Sequence, residues 1–214
     1  MEIMGFAAGP YQTNCYIWSN NGSCVIIDPG MHAQERVVDV VEKQGLTPES
    51  IVLTHGHIDH TRDAGSLAQR YGVPVYIHQA DEFMLDKGVG VSTQTQVLFD
   101  AINMTPIPNP QHLEHGATVK LAGVDFEVRH APGHSPGSVL LISAENNVCF
   151  AGDVLFKGSI GRTDLAHSDH AAMLASLREQ VLTLDDALHV LPGHGEATTI
   201  RAERAGNPFL QQLR

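Results

Sequence analysis

The sequence predicts an α/β sandwich of four layers, in which two mixed β-sheets pack together and helices flank them on the outside. Three observations carry this expectation. Short apolar or β-branched runs and helix-like segments follow one another in two successive rounds. Strands in both halves end in a glycine set immediately before a His or Asp. No linker or tandem repeat divides the 214 residues, a length that fits one large domain over 1–214 with enough chain to bury a core.

The elements follow in order. The first thirty residues read as strands, with Thr13 to Ser19 and Cys24 to Asp28 flanking the turn signal Asn20-Asn21-Gly22. Asp28-Pro29-Gly30 breaks the chain before a helix from Ala33 to Gln44. There Val37, Val38, Val40 and Val41 recur at helical spacing, and Gly45 is the stop. Ile51 to Leu53 is a buried strand. A helix over about Asp63 to Tyr71 follows, ended by Gly72 and Pro74, and then a strand at Val75 to Ile77. Between Lys87 and Gln111, Gly88, Gly90, Pro106, Pro108 and Pro110 imply loops around a short helix near Thr95 to Ala101. Strands return at Val119 to Leu121, Val124 to Arg129, Ser138 to Ile142 and Val148 to Phe150. A helix over about His170 to Leu182 and a last strand, His189 to Leu191, precede a short terminal helix.

Composition narrows the function. The chain is 43% apolar and 17% charged, as expected of a soluble globular protein. A formal charge of −11 leaves no broad basic surface for a nucleic-acid backbone and nothing to favour an acidic membrane. No basic segment followed by an apolar core opens the chain, and no run approaches a membrane span. Cys15, Cys24 and Cys149 are odd in number, lack C-x-x-C spacing and sit in apolar stretches, so buried reduced thiols and a cytoplasmic location are expected.

The chemistry collects where strands end. Thr54-His55-Gly56-His57-Ile58-Asp59-His60 places three imidazoles and a carboxylate within six residues, directly after Ile51-Val52-Leu53. The pattern repeats in weaker form: Glu127-Val128-Arg129 runs towards Pro132-Gly133-His134, Val148-Cys149-Phe150 towards Gly152-Asp153, and His189-Val190-Leu191 towards Pro192-Gly193-His194. Glycine lets the backbone turn sharply, so polar side chains are mounted on loops that a rigid sheet positions. Imidazole and carboxylate together suit zinc, iron or manganese, and seven such groups suffice for two metals.

His-x-His-x-Asp-His, an isolated His, Gly-Asp and Pro-Gly-His together resemble the metal signature of the metallo-β-lactamase fold over about residues 12 to 196. That resemblance implies one divalent metal on His55, His57 and His134 and a second on Asp59, His60 and His194. It also implies that Asp153 and a water or hydroxide bridge them, with zinc as the first choice and iron or manganese as alternatives. Within the superfamily, Thr13-Asn14-Cys15-Tyr16, Asp28-Pro29-Gly30, Pro132 to Ser138, Gly161-Arg162-Thr163-Asp164 and the tail with Glu203 and Asn207-Pro208-Phe209 look like glyoxalase II, hydroxyacylglutathione hydrolase. Full-length glyoxalase II carries a further C-terminal helical domain with basic contacts to glutathione, whereas this chain ends about twenty residues after His194.

The resemblance implies hydrolysis of a thioester such as S-D-lactoylglutathione to D-lactate and glutathione, by hydroxide that two cations generate at neutral pH. Asp59 is expected as a ligand more than as a base, and Asp28 as the outer acceptor for a ligand histidine. Lys157 and Arg162, on a loop after Asp153, are candidates for the glutathione carboxylates, with Arg162 alternatively paired to Asp164. Tyr11 and Phe156 are expected in the pocket or the core. His32, His78, His112, His115, His130, His167, His170 and His189 are given no ligand role. Three rivals remain open: a mononuclear iron persulfide dioxygenase, whose relatives share Gly-Arg-Thr-Asp, a lactonase or other hydrolase of the fold, and a non-enzymatic metal-binding module, which an open site with a bridging carboxylate argues against. The oligomeric state is left open.

Overall fold

Alternation along the strands decides the layers. The computed structural model, which describes residues 1–213, builds its first sheet from β1 (Glu2–Ala8), β2 (Thr13–Asn20), β3 (Ser23–Ile27), β4 (Thr47–Val52), β5 (Val75–Ile77) and β6 (Gln111–His112), hydrogen-bonded in that order. The β1–β2 and β2–β3 pairs are antiparallel and the later pairs are parallel. The second sheet comprises β7 (Thr118–Leu121), β8 (Val124–His130), β9 (Val139–Ser143) and β10 (Val148–Gly152). After a small hairpin of β11 (Leu155–Phe156) and β12 (Ser159–Ile160), it is completed by β13 (His189–Pro192) and β14 (Thr198–Thr199). Its spatial order is β14-β13-β10-β9-β8-β7, and β10–β13 is its parallel pair. Both sheets are therefore mixed, as the sequence predicts.

Side chains on a strand point to opposite faces at every step, and here both faces of the central strands are buried. Cys15 and Ile17, Cys24 and Ile26, and Ile51 and Leu53 face one way, against Val37, Val40 and Val41 of α1 (Gln34–Gln44). Their neighbours Tyr16, Trp18, Val25, Ile27 and Val52 face the other way, against Phe126, Val128, Val139, Leu141, Val148 and Phe150 of the second sheet. Leu140, Ile142, Cys149 and Ala151 then turn outward onto Met173 of α5 (His170–Ser176) and onto Leu177 and Val181, where that helix continues as a π-helical turn. Three apolar interfaces separate four layers. Trp18, Phe126 and Phe150 fill the middle one, with ring centroids 5.2–6.4 Å apart.

Some elements lie outside the expectation. Strand β1, half exposed at the sheet edge, falls within the thirty residues read as strands, but its bounds come from its pairing with β2. Helix α2 (Ile58–Thr61) is a single turn inside the histidine motif, too short to show a helical period, and α3 (Ala64–Tyr71) follows it. The segment Gln79–Leu85 is a 3₁₀ helix, and α4 (Thr93–Leu98) ends before a second 3₁₀ turn at Ala101–Asn103. Helices α6 (Ile200–Gly206) and α7 (Pro208–Gln211) close the described chain. The turn between β2 and β3 has positive φ at Asn21 and Gly22, the geometry that suits a two-residue hairpin. The three cysteines are free and buried, and burial pushes the thiols of Cys24 and Cys149 up to about 12. Among the described residues no helix is long and apolar enough to cross a membrane.

Candidate metal centre

Backbone bonds draw the strand ends of both sheets together. Val139 N donates to Thr54 O at 2.9 Å, Gly193 N to Gly152 O at 2.8 Å and Asn14 N to Gly193 O at 2.7 Å, and Thr13 forms an isolated bridge with His194. The loop after β4 carries His55 and His57, and α2 carries Asp59 and His60. His134 follows β8, Asp153 follows β10 and His194 follows β13. All are buried except His194, which is partly exposed.

These seven side chains meet in three overlapping groups. Donor atoms lie within 4.8 Å of one another in His55–His57–His134, in His55–His60–Asp153 and in Asp59–His60–His194. His57 Nδ1 stands 3.1 Å from His55 Nε2 and 2.9 Å from His134 Nε2. Asp153 reaches His60 Nε2, His134 Nε2 and His194 Nε2, each at 3.4 Å, and Asp59 Oδ2 lies 3.3 Å from His194 Nε2. Nitrogen ligands about 2.0–2.1 Å from a tetrahedral zinc would stand roughly 3.3 Å apart, so the spacing suits an ion within each group.

The outer ring nitrogens settle the tautomers. Thr54 Oγ1 gives its proton to Asp28 Oδ2 at 2.6 Å and so accepts from His55 Nδ1 at 3.2 Å. His134 Nδ1 donates to Arg162 O at 2.9 Å, His60 Nδ1 to Asp28 Oδ2 at 3.0 Å and His194 Nδ1 to Tyr11 O at 3.1 Å. In its neutral form each of these four rings therefore turns a lone pair inward. Lone pairs and two carboxylates brought this close in a buried place need a cation between them, either a metal ion or protons on His60 and His194. His60 Nε2 and Asp153 Oδ1 are buried without a hydrogen-bond partner, as is His57 Nε2 on the far side of its ring. The donor set fits divalent metal.

Protons show the same field. Burial lowers His55 well below the usual imidazole range and His57 to about 3, with neighbouring imidazoles adding to the effect. Burial would also lower His60 and His194, but Asp59 and Asp153 outweigh it, holding His60 well above its ordinary value and His194 at about 9. Burial favours the neutral acids, yet His60 and His194 pull Asp59 down to about 2 and hold Asp153 well below the usual carboxylate range. Two glycines make room for the main chain of the acidic residues: a Cβ on Gly30 would overlap the backbone Asp59 O, and one on Gly161 would overlap the backbone Asp153 O.

The centre opens into a cleft of about 940 Å³ lined by Tyr11, Val91, Ser92, Thr95, Phe156, Ile160, Arg162 and Asp164 among others. Tyr11 and Phe156 thus stand on its wall. Arg162 lies on the rim with its guanidinium forked onto Asp164. Lys157 does not line the cleft: it sits in the β11–β12 turn and its ammonium pairs with Glu196 at 2.5 Å. His130 stays outside the cluster, with Nε2 on Pro136 O at 2.7 Å and its ring stacked on His78 at 3.9 Å. Thr13, whose hydroxyl donates to Asp59 Oδ2 at 2.9 Å, belongs to the site although sequence reasoning gave it no role. So does buried Asp81, which accepts from Gly56 N, Ser135 Oγ and Gly137 N. Thr13 stands in the Thr13-Asn14-Cys15-Tyr16 stretch, which signalled resemblance but no role, and Asp81 stands in no motif.

Fold and donor set together define a metallo-hydrolase scaffold. The chain belongs to the metallo-β-lactamase superfamily, whose sequence profile matches residues 8–194. It is similar to hydroxyacylglutathione hydrolase GloC of Haemophilus influenzae, 38% identical over 213 residues that span 98% of this chain and 97% of that protein. Among solved structures it resembles the B3 metallo-β-lactamase BLEG-1, with a TM-score of 0.87 and 35% identity over 98% of this chain and 99% of that one. It also resembles TTHA1623 in a di-iron-bound form, with a TM-score of 0.85 and 37% identity over 97% of this chain and all (100%) of that one. The likeness to glyoxalase II noted in the sequence agrees with the first of these.

Proposed function

We propose that the protein is a binuclear metal-dependent thioester hydrolase of the glyoxalase II type, which cleaves S-D-lactoylglutathione to D-lactate and glutathione. The observation that carries this reading is the pair of donor triads, His55–His57–His134 and Asp59–His60–His194, with Asp153 within reach of both. The similarity to GloC, end to end, supports the choice of substrate. Zinc is the first expectation for both positions, and iron and manganese suit the same ligands.

When bound, two divalent ions supply hydroxide at neutral pH and polarise the acyl oxygen. The residues of the chain do the rest. Thr13 and Asp28 hold Asp59 and His60 in place through their hydrogen bonds. Tyr11, Val91 and Phe156 offer an apolar wall along the cleft, and Arg162 is the cation at its rim for a glutathione carboxylate. Water adds to the acyl carbon, the carbon–sulfur bond breaks, and the thiolate leaves without an acid aimed at it because thiols are acidic enough to depart as anions. Three buried thiols fit a reducing compartment such as the cytoplasm.

Anaerobic hydrolysis of S-D-lactoylglutathione, followed as thioester loss with metal content measured on the same sample, tests the reading. Saturable turnover with two metals per chain is expected. No thioester loss, with one iron per chain and oxygen uptake on glutathione persulfide, would replace it with a dioxygenase.

A further inference from the structure

We infer that Asp81 is a positioning residue that sets the three-histidine triad and leaves the other triad alone. Asp81 is fully buried and stands on the 3₁₀ helix after β5, on the first-sheet side of the molecule. No lysine, arginine or histidine neutralises its carboxylate among the described contacts. It accepts instead from Gly56 N at 2.8 Å, Ser135 Oγ at 2.5 Å and Gly137 N at 2.6 Å. Gly56 lies between His55 and His57, and Ser135 follows His134, so all three histidines hang from residues that this one carboxylate grips.

The grip crosses the sandwich. His55 and His57 leave the first sheet and His134 leaves the second, and Asp81 ties one turn to the other beneath them. The fit is close on both sides: a Cβ on Gly137 would lie 2.6 Å from Asp81 Cγ, and one on Gly56 would lie 2.8 Å from Asp81 O. Two buried backbone N–H groups on opposite turns demand an acceptor at each end, which a carboxylate supplies and a carboxamide of the same shape does not. In Asp81→Asn the amide nitrogen faces one of those N–H groups, and that turn loses its anchor. Asp28 plays the parallel part for His60 of the second triad, where it touches the ring itself. Asp81 makes no hydrogen bond to a ligand, so beyond its charge interaction with His134 its grip acts through the position of the two turns.

The inference rests on the two-triad reading, and zinc titration of the metal-free protein against a chromophoric chelator separates the two. Wild-type protein taking up fewer than two zinc ions would remove the reading itself. In a His194→Ala background, which leaves the three-histidine triad, Asp81→Asn is expected to weaken zinc by about 10-fold or more. In a His57→Ala background, which leaves Asp59 and His60 with His194, the same change should leave zinc affinity within about twofold. Equal weakening in both backgrounds, or none in either, would overturn the assignment. Should Asp81→Asn not fold, Ser135→Ala decides: it removes one bond of the clamp, from a hydroxyl whose other partner is Ser138 Oγ at 2.8 Å. A several-fold loss confined to the His194→Ala background supports the clamp, and no loss there rejects it.

Discussion

Arg162 grips Asp164 at two points, Nε to Oδ1 at 2.7 Å and Nη2 to Oδ2 at 2.8 Å, on the rim of the metal cleft. Both side chains are exposed, so water and salt compete for the pair and it is readily opened. The carboxylate of Asp164 occupies the same fork that a substrate carboxylate would use. Asp164→Asn should therefore lower KM for S-D-lactoylglutathione by about two- to fivefold with kcat held. Arg162→Ala should raise KM. Steady-state kinetics against a thioester with no carboxylate provides the control, and equal shifts on both substrates would sink the idea.

Asp153 is the carboxylate that reaches ring nitrogens of both triads. Its conversion to Asn removes a negative charge from between the two donor triads and leaves the shape unchanged. The variant is expected to fold, to lose about half or more of its metal and to lose turnover with it. Metal analysis beside a thermal melt checks this, and full metal content would contradict it.

The carboxylate of Asp28 takes the proton of Thr54 Oγ1, the backbone N–H of Thr54 at 2.7 Å and the ring N–H of His60. Asp28→Asn weakens the partner that aims His60. An outer acceptor of this kind is worth about 10- to 100-fold in metal affinity. The loss should be larger for zinc held by His60, which Asp28 touches, than for zinc held by His55, which it reaches through Thr54, read by competition titration.

Phe150 lies between the sheets, within 5.5–6.4 Å of the Tyr16, Trp18 and Phe126 rings. Phe150→Ala opens a cavity where no loop can collapse to fill it. Urea unfolding should show a loss of about 3–5 kcal/mol, and a loss below 1 kcal/mol would mean that the layers repack.

A pH effect independent of the metal ligands comes from His78. Burial, with His130 stacked on it and His112 nearby, lowers its pKa from 6.5 to about 4. The folded state thus binds fewer protons than the unfolded chain between these values, and stability is fully present above about 6.5 and falls as pH drops through about 4. The neutral ring also accepts from Ala80 N at 3.2 Å, capping the helix that carries Asp81. His78→Asn keeps a capping acceptor but cannot titrate. Its urea midpoint should fall less steeply than wild type on acidification, and parallel curves would reject the assignment.

Much of this was legible because two simple periods coincide with function. Runs such as Cys24 to Ile27 and Val148 to Phe150 announce strands buried on both faces, and the glycines after them announce where polar groups can be mounted. What the sequence hides has physical reasons. A single helical turn such as α2 has no period to detect. The acceptors that orient His134 and His194 are main-chain oxygens of Arg162 and Tyr11, and no residue identity encodes them. Lys157 looked available because it follows Asp153 closely, but the β11–β12 hairpin turns it toward Glu196.

Because the donors leave different sheets, the centre also orders events in time. A chain that has joined only β1 to β5 owns His55, His57, Asp59 and His60, yet neither Asp153 nor His194 has arrived. Tight capture of the ions must await the long-range closure that brings β10 and β13 alongside β2 and β4, the slowest kind of contact to form. Loading would then be a late step of maturation, because a chain that still lacks Asp153 and His194 offers an incomplete donor set.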